Sequence, residues 1–207
     1  YKVTYILDGG KWTTGDQNTE YTKKCDEKVK VKQDPSKEGY RFNGWEAKTE
    51  SGNPVTITDS KFTMPADNVV LTAKWVKTYT VTWKVEGETK ARETKEFDEG
   101  TSRTAVEAKA PDVPTKAADE EYTYTYSNWN TANYEKLTDD ITYTSTLTKT
   151  PKTYNVAYAA PGADNWDTSE NHTAAFNSQV TITSAEPTRT GYTFDGWAYA
   201  GKKYGKD

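Results

Sequence analysis

One cysteine, one histidine and one methionine occur in 207 residues. A lone Cys25 cannot close an intrachain disulfide, and its setting "TKKCDEK" offers no base to lower its pKa, so it reads as a solvated thiol. A lone His172, in "SENHTAAF", leaves no Ser-His-Asp or Cys-His arrangement to assemble and reads as an exposed turn residue. HExxH, CxxC and P-loop patterns are absent, so no metal or cofactor site is expected. No apolar run approaches the ~18 residues a membrane helix needs. Neither charge sign dominates: 27 basic and 31 acidic residues are mixed along the chain, for a net charge of −4. Without a basic stripe, nucleic acid and anionic membrane are not expected partners. Hydrophobic residues make up only 33% and mean hydropathy is −0.98, too polar for one large apolar core.

What the chain has instead is aromatic side chains, at 13%, and 35 threonines. Thr, Tyr, Val and Trp favour strands, and Thr suits the solvent face of a half-buried sheet. The expectation is a set of small β-rich units with aromatic cores, and a non-enzymatic one.

Those units repeat. "YKVTY" (1–5), "YTVTW" (79–83) and "YNVAY" (154–158) share the pattern Tyr-x-Val-x-aromatic, with starts 78 and 75 residues apart. Alternation at period two puts the apolar residues of each on one strand face, and periods of this size mean an array of small domains. The boundaries read as 1–76, 77–150 and 151–207. A second repeated phrase is "GYRFNGW" (39–45) and "GYTFDGW" (191–197), matched in the middle copy by "YTYSNW" (124–129). Alignment on the Trp pairs Tyr40 with Tyr124 and Tyr192, and Phe42 with Tyr126 and Phe194. It also pairs Gly44 with Asn128 and Gly196, and Trp45 with Trp129 and Trp197. Gly and Asn best tolerate positive φ, so a left-handed residue or bulge is expected before each Trp. These twelve residues read as structural.

A Pro-hydroxyl-basic triplet precedes each phrase: Pro35-Ser36-Lys37, Pro114-Thr115-Lys116 and Pro187-Thr188-Arg189. Closing strands are legible twice, in "DNVVLTAKW" (67–75) and "DDITYTSTL" (139–147), each after a pair that reads as a turn. Adjacent acids such as Glu120-Glu121 and Asp139-Asp140 read as solvated turns, since a glycosidase pair must face across a cleft. No loop carries the calcium-binding spacing of an EF-hand. The third copy has only ten residues after Trp197 and is expected to lack its closing strand, which would leave an edge prone to adding one. Tyr1 in place of Met reads as an excerpt from a longer chain.

The combination "VTYILDGG…GYRFNGW…FTMPADNVVLTAKW" resembles the Listeria–Bacteroides repeat, the B-repeat of Listeria internalins. The resemblance covers the first copy throughout and the third up to its end. The middle copy looks like a divergent relative, lacking the Asp-Gly-Gly turn and the Met-Pro-Ala-Asp step. The resemblance implies an α+β, ubiquitin-like β-grasp fold of roughly seventy residues, with first and last strands parallel in mid-sheet. Mapped here, it implies a first hairpin (3–8 and about 20–31), a helical turn near 34–38, a strand at 40–47 and a closing strand at 69–75. It also implies secretion and tandem arrays in large bacterial surface proteins; an extracellular chain without disulfides fits a Gram-positive surface.

The functional expectation is a spacer or stalk segment of an extracellular adhesin, with neighbouring domains of the same protein as its partners. Short linkers, "VKT" (76–78) and "KTPKT" (149–153), are expected to limit bending. The alternative is a binding module for a host protein, for example an immunoglobulin, or for a glycan. It would use sheet edges or hairpin tips. Trp12 and Trp166, in the first hairpin turn of copies one and three, are its candidate contacts; each either folds back onto the sheet or stacks on a ligand.

Overall fold

The computed structural model describes residues 1–205. Strands dominate, as the Thr- and aromatic-rich alternation requires. In chain order they are β1 (Lys2–Ile6), β2 (Glu20–Thr22), β3 (Lys28–Lys30), β4 (Tyr40–Thr49), β5 (Lys61–Thr63), β6 (Val69–Val85) and β7 (Glu93–Asp98). A short helix α1 (Arg103–Glu107) follows. Next come β8 (Tyr122–Tyr126), β9 (Ile141–Ser145), β10 (Leu147–Pro151), β11 (Thr153–Val156), β12 (His172–Ala175), β13 (Trp197–Tyr199) and β14 (Lys202–Tyr204). The protein is a mainly-β repeat chain.

Two compact units emerge, one of Tyr1–Asp112 with Trp129–Ser145, the other of Val113–Asn128 with the residues from Thr146 onward. The sequence of the middle copy contributes to both.

In the first unit the strands run β2-β1-β6-β4, with β1 and β6 parallel and the other pairs antiparallel. Val3 and Tyr5 of β1 and Val69, Leu71 and Ala73 of β6 point into a common core with Val29, Phe62 and Met64. Beyond this region β6 continues. Its second half pairs with β7 antiparallel and β9 parallel, repeating with itself in the place of β1. Tyr79, Val81 and Trp83 there join Val106, Leu137 and Tyr143 in a second core. The expected linker "VKT" is therefore the middle of one 17-residue strand. Buried positions fall on odd numbers from Val69 to Ala73 and again from Tyr79 to Val85, so the pleat keeps one phase through the seam.

In the second unit β8 pairs with β10, and β11 with β12, both antiparallel. The expected linker "KTPKT" is likewise strand, and Pro151 ends β10 opposite Tyr122. Lys152, between the strands, donates its N–H to Glu121 and accepts from Phe176 N–H through its carbonyl, at 2.9 and 2.7 Å.

Two further expectations are corrected. No helix forms at 34–38, because Ser36 exchanges both backbone hydrogen bonds with Lys11, at 2.8 and 2.9 Å, and is held as a bridge. The left-handed position before the motif Trp holds for Gly44 (φ 92°) and Gly196 (φ 125°) but not for Asn128, which is not among the positive-φ residues. In the first copy the register with β6 shifts between Phe42 and Trp45, a bulge. In the middle copy a shift by one residue separates Tyr126↔Leu147 from Asn130↔Thr144 without needing positive φ.

Candidate functional site

The motif Trp is the centre of an aromatic cluster. Trp45 lies 5.0 Å from Tyr5, 5.2 Å from Phe42 and 5.8 Å from Trp12 between ring centroids. Trp197 lies 4.9 Å from Tyr158, 5.3 Å from Phe194 and 4.8 Å from Trp166. The contacts with Tyr and Phe are edge-on and the two Trp–Trp contacts tilted, arrangements that suit aromatic quadrupoles at these distances. Neither Trp45 nor Trp197 has a partner for its indole N–H. Trp129 instead donates to the Pro111 carbonyl at 2.7 Å and packs on the second core.

The candidate contacts Trp12 and Trp166 sit within these clusters. Trp12 is 7% exposed, so the turn of the first copy folds its ring back onto the sheet. Trp166 is half-buried and donates its indole N–H to the Tyr158 carbonyl at 3.1 Å.

The motif Tyr stands outside the clusters. Tyr40 is 38% and Tyr192 68% exposed. Each carries the basic residue of the preceding triplet on its ring: Lys37 Nζ at 4.5 Å from Tyr40, Lys116 Nζ at 3.7 Å from Tyr124 and the Arg189 guanidinium at 4.3 Å from Tyr192. This cation–π contact gives the triplet its reason. Its signal, a basic residue three positions before the Tyr, is present in the first and third copies; in the middle copy Lys116 precedes Tyr124 by eight residues. Tyr124 also donates to Asp119 at 2.6 Å; that bond pushes the phenol up to about 12 and holds the Asp119 carboxyl below its ordinary range.

The acidic turns before the closing strands have a shared structural task. Asn68 Oδ1 accepts the Lys2 N–H at 2.8 Å, and Asp140 Oδ1 accepts the Thr80 N–H at 2.7 Å. Asp67 and Asp139 each accept the N–H of the following residue. The side chain at the second position thus accepts the N–H of the residue after each copy's opening Tyr, Lys2 in the first and Thr80 in the middle one. His172 is exposed and its Nδ1 lies 3.1 Å from the Glu170 carbonyl; Cys25 is exposed. Among the described residues no group of three or more His, Cys, Asp or Glu could hold a metal ion, and no helix is long and apolar enough to cross a membrane.

A cavity of about 1000 Å³ lies in the third copy, lined by Tyr158, Ile182, Phe194 and Trp197. In the first copy the matching residues Tyr5 and Val31 pack with Val69 and Leu71 of β6.

The model of the Listeria-Bacteroides repeat domain matches residues 1–74 and 154–206. The intervening stretch is the copy with the divergent turn and motif. Among solved structures, the chain is similar to Streptococcal High Identity Repeats in Tandem (SHIRT) domains 3-4 from a cell surface protein. Identity is 15%, coverage is 73% of this chain and 99% of that one, and the TM-score is 0.26. The two matched stretches make up more than half of the chain, and the protein belongs to the Listeria-Bacteroides repeat domain family.

Proposed function

We propose that this chain is a non-catalytic spacer in a bacterial cell-surface protein, holding neighbouring domains at a set distance. The observation that carries this reading is β6. A linker would let two repeats swivel, whereas one strand serving both cores ties their orientations together. Seventeen residues at ~3.3 Å each give a strut of roughly 55 Å.

Backbone pairing continues through the seam. Thr78 N–H donates to Gly39 at 2.9 Å and Glu99 N–H to Lys77 at 2.8 Å. Arg41, in register with Val76, reaches Asp98, in register with Thr78, through two bonds of 2.9 and 2.7 Å. Both side chains are substantially exposed, so solvent screens the pair and it adds little stability. Stiffness in this reading comes from the strand, not from the ion pair. The family's tandem surface arrays support the location, and neighbouring domains of the same protein are its partners.

The test is a distance distribution between spin labels on the native Cys25 and on a Thr142→Cys variant. The expected result is a narrow distribution that broadens when Gly-Gly-Ser-Gly is inserted between Lys77 and Thr78. An equally broad distribution before insertion would refute the spacer reading.

A further inference from the structure

The first copy seats a cation on its aromatic cluster. Lys32 Nζ lies 5.8 Å from the ring centre of Tyr5, 5.5 Å from Trp12 and 5.7 Å from Tyr21. The same ammonium donates to Asp16 Oδ2 at 2.8 Å and to the Asn18 carbonyl. Its side chain is 15% exposed. The second copy reaches the same end by another route. Trp83 stands where Tyr5 does, and Lys95 places its Nζ 5.7 Å from that ring while donating to the Lys109 carbonyl at 2.7 Å. Lys95 comes from β7 at the position of Tyr21, since Val81↔Lys95 repeats Val3↔Tyr21. Two different lysines thus converge on one ring position.

The third copy keeps the receiving surface and has lost the cation. Tyr158 stands for Tyr5 and Trp166 for Trp12, and the pairing Val156↔His172 puts His172 in the place of Tyr21. Tyr158 and His172 are 5.9 Å apart at 37°, against 6.1 Å and 33° for Tyr5 and Tyr21. The place of Lys32 is taken by Thr183, identified by a shared bond: its N–H donates to the Tyr158 hydroxyl at 3.0 Å, as the Lys32 N–H does to the Tyr5 hydroxyl at 3.0 Å. Thr183 ends several bonds short of where an ammonium would sit. Its hydroxyl donates to the Glu170 carboxylate, so an acid is held beside that position, as Asp16 is beside Lys32. The indole bond to the Tyr158 carbonyl fixes the Trp166 ring in advance. Among the described residues, the cation–ring contacts of this copy involve Tyr192 and Tyr204, not Tyr158 or Trp166.

We propose that Tyr158, Trp166 and His172, with Glu170 at the rim, form a binding site for an alkylammonium group supplied from outside the repeat. Ring faces attract such cations, Trp most strongly, and a carboxylate adds a counter-charge. A lysine ε-amino group of a partner and a free quaternary amine share this chemistry.

NMR titration of the full chain tests it, with the Trp166 indole N–H as reporter. The probes are choline, Nα-acetyl-lysine amide and 3,3-dimethylbutan-1-ol, the uncharged isostere of choline, at matched ionic strength. Saturable shifts with at least one cation are expected, with the isostere at least tenfold weaker. The better of the two cations identifies the source. Thr183→Lys should fill the site from within and weaken binding at least tenfold, and Lys32→Thr should open a new response at Trp12. No saturable shift with either cation, equal affinity for the isostere, or undiminished binding in folded Thr183→Lys would overturn the proposal. The wild-type comparison alone decides the matter if that variant does not fold.

Discussion

Gly10→Ala should destabilise the first copy because of one ring. A methyl group at Gly10 would lie 2.4 Å from Trp75 Cζ2, 3.0 Å from its Cη2 and 3.1 Å from the Leu7 carbonyl oxygen. Carbon atoms in contact sit ~3.5–4.0 Å apart, so the indole must retreat by about 1 Å or more. It is not free to do so. Its Nε1 donates to Leu7 at 3.1 Å, and Phe42 packs on it at 5.5 Å. Breaking the bond costs about 1 kcal/mol and overpacking roughly 1–3 kcal/mol. Against this, Gly10 is not among the positive-φ residues, so alanine fits the backbone and restricts the unfolded chain by about 0.4–1 kcal/mol. The net expected loss is roughly 1–3 kcal/mol, combining those contributions. Native-state hydrogen exchange at the amides of β1 and the first half of β6 reads this copy alone. Trp75→Leu supplies the decisive background, since without the indole Gly10→Ala should become neutral or slightly stabilising. A neutral effect in the wild-type background, or an unchanged cost after Trp75→Leu, would refute the packing account.

Two other outcomes follow from the repeated geometry. Asn68→Ala and Asp140→Ala each remove the side-chain acceptor of one backbone N–H, Lys2 or Thr80, so each should cost about 0.5–1.5 kcal/mol. Hydrogen exchange should assign the first loss to β1 and the second to the latter half of β6; losses spread evenly over both would count against local capping. Glu46 is held by Lys48 and then Lys74 well below its ordinary 4.5, down to about 2. With the folded pKa depressed, its contribution is present above pH 4.5 and lost as pH falls toward about 2. Glu46→Gln should therefore differ from wild type in urea midpoint at pH 6 and converge with it near pH 2, with a gap that shrinks in salt. A gap that persists at pH 2 would assign the difference to another cause.

Much of the fold was legible because alternation and repetition are local signals. The Tyr-x-Val-x-aromatic phrase marked β1 and the second half of β6, and Gly44 and Gly196 marked the bulge before the Trp. Asn128 misled because Asn tolerates left-handed backbone without requiring it. The fusion of two strands into β6 was written in the sequence but hidden by polarity. Lys77 is odd-numbered, on the inward phase, yet it is exposed because it falls between two cores. A polar residue on the inward phase beside the apolar Val76 on the outward one reads as a linker. The fate of Trp12 was not legible, since the turn between β1 and β2 is long enough to fold either way. The role of Lys32 was missed because "VKVK" reads as apolar-in, charged-out. Its charge leaves the sheet, but its ammonium returns to three rings and Asp16.

The copies differ most tellingly at that point. The motif Trp and the aromatic residue of the opening strand are kept in every copy; Trp45 and Trp197 each contact three other rings, and losing one opens a cavity in a small core. The cation is under no such constraint. It lies at the edge of the cluster, can arrive from β7 as Lys95 or from the segment after β3 as Lys32, and can be dropped at Thr183 without disturbing the Tyr158 hydroxyl bond. A chain whose cores must all fold alike can therefore vary there at little cost. A spacer needs only the shared rings and the continuous strand. An aromatic surface left with an acid beside it and no cation of its own is where one copy can acquire a task its neighbours lack.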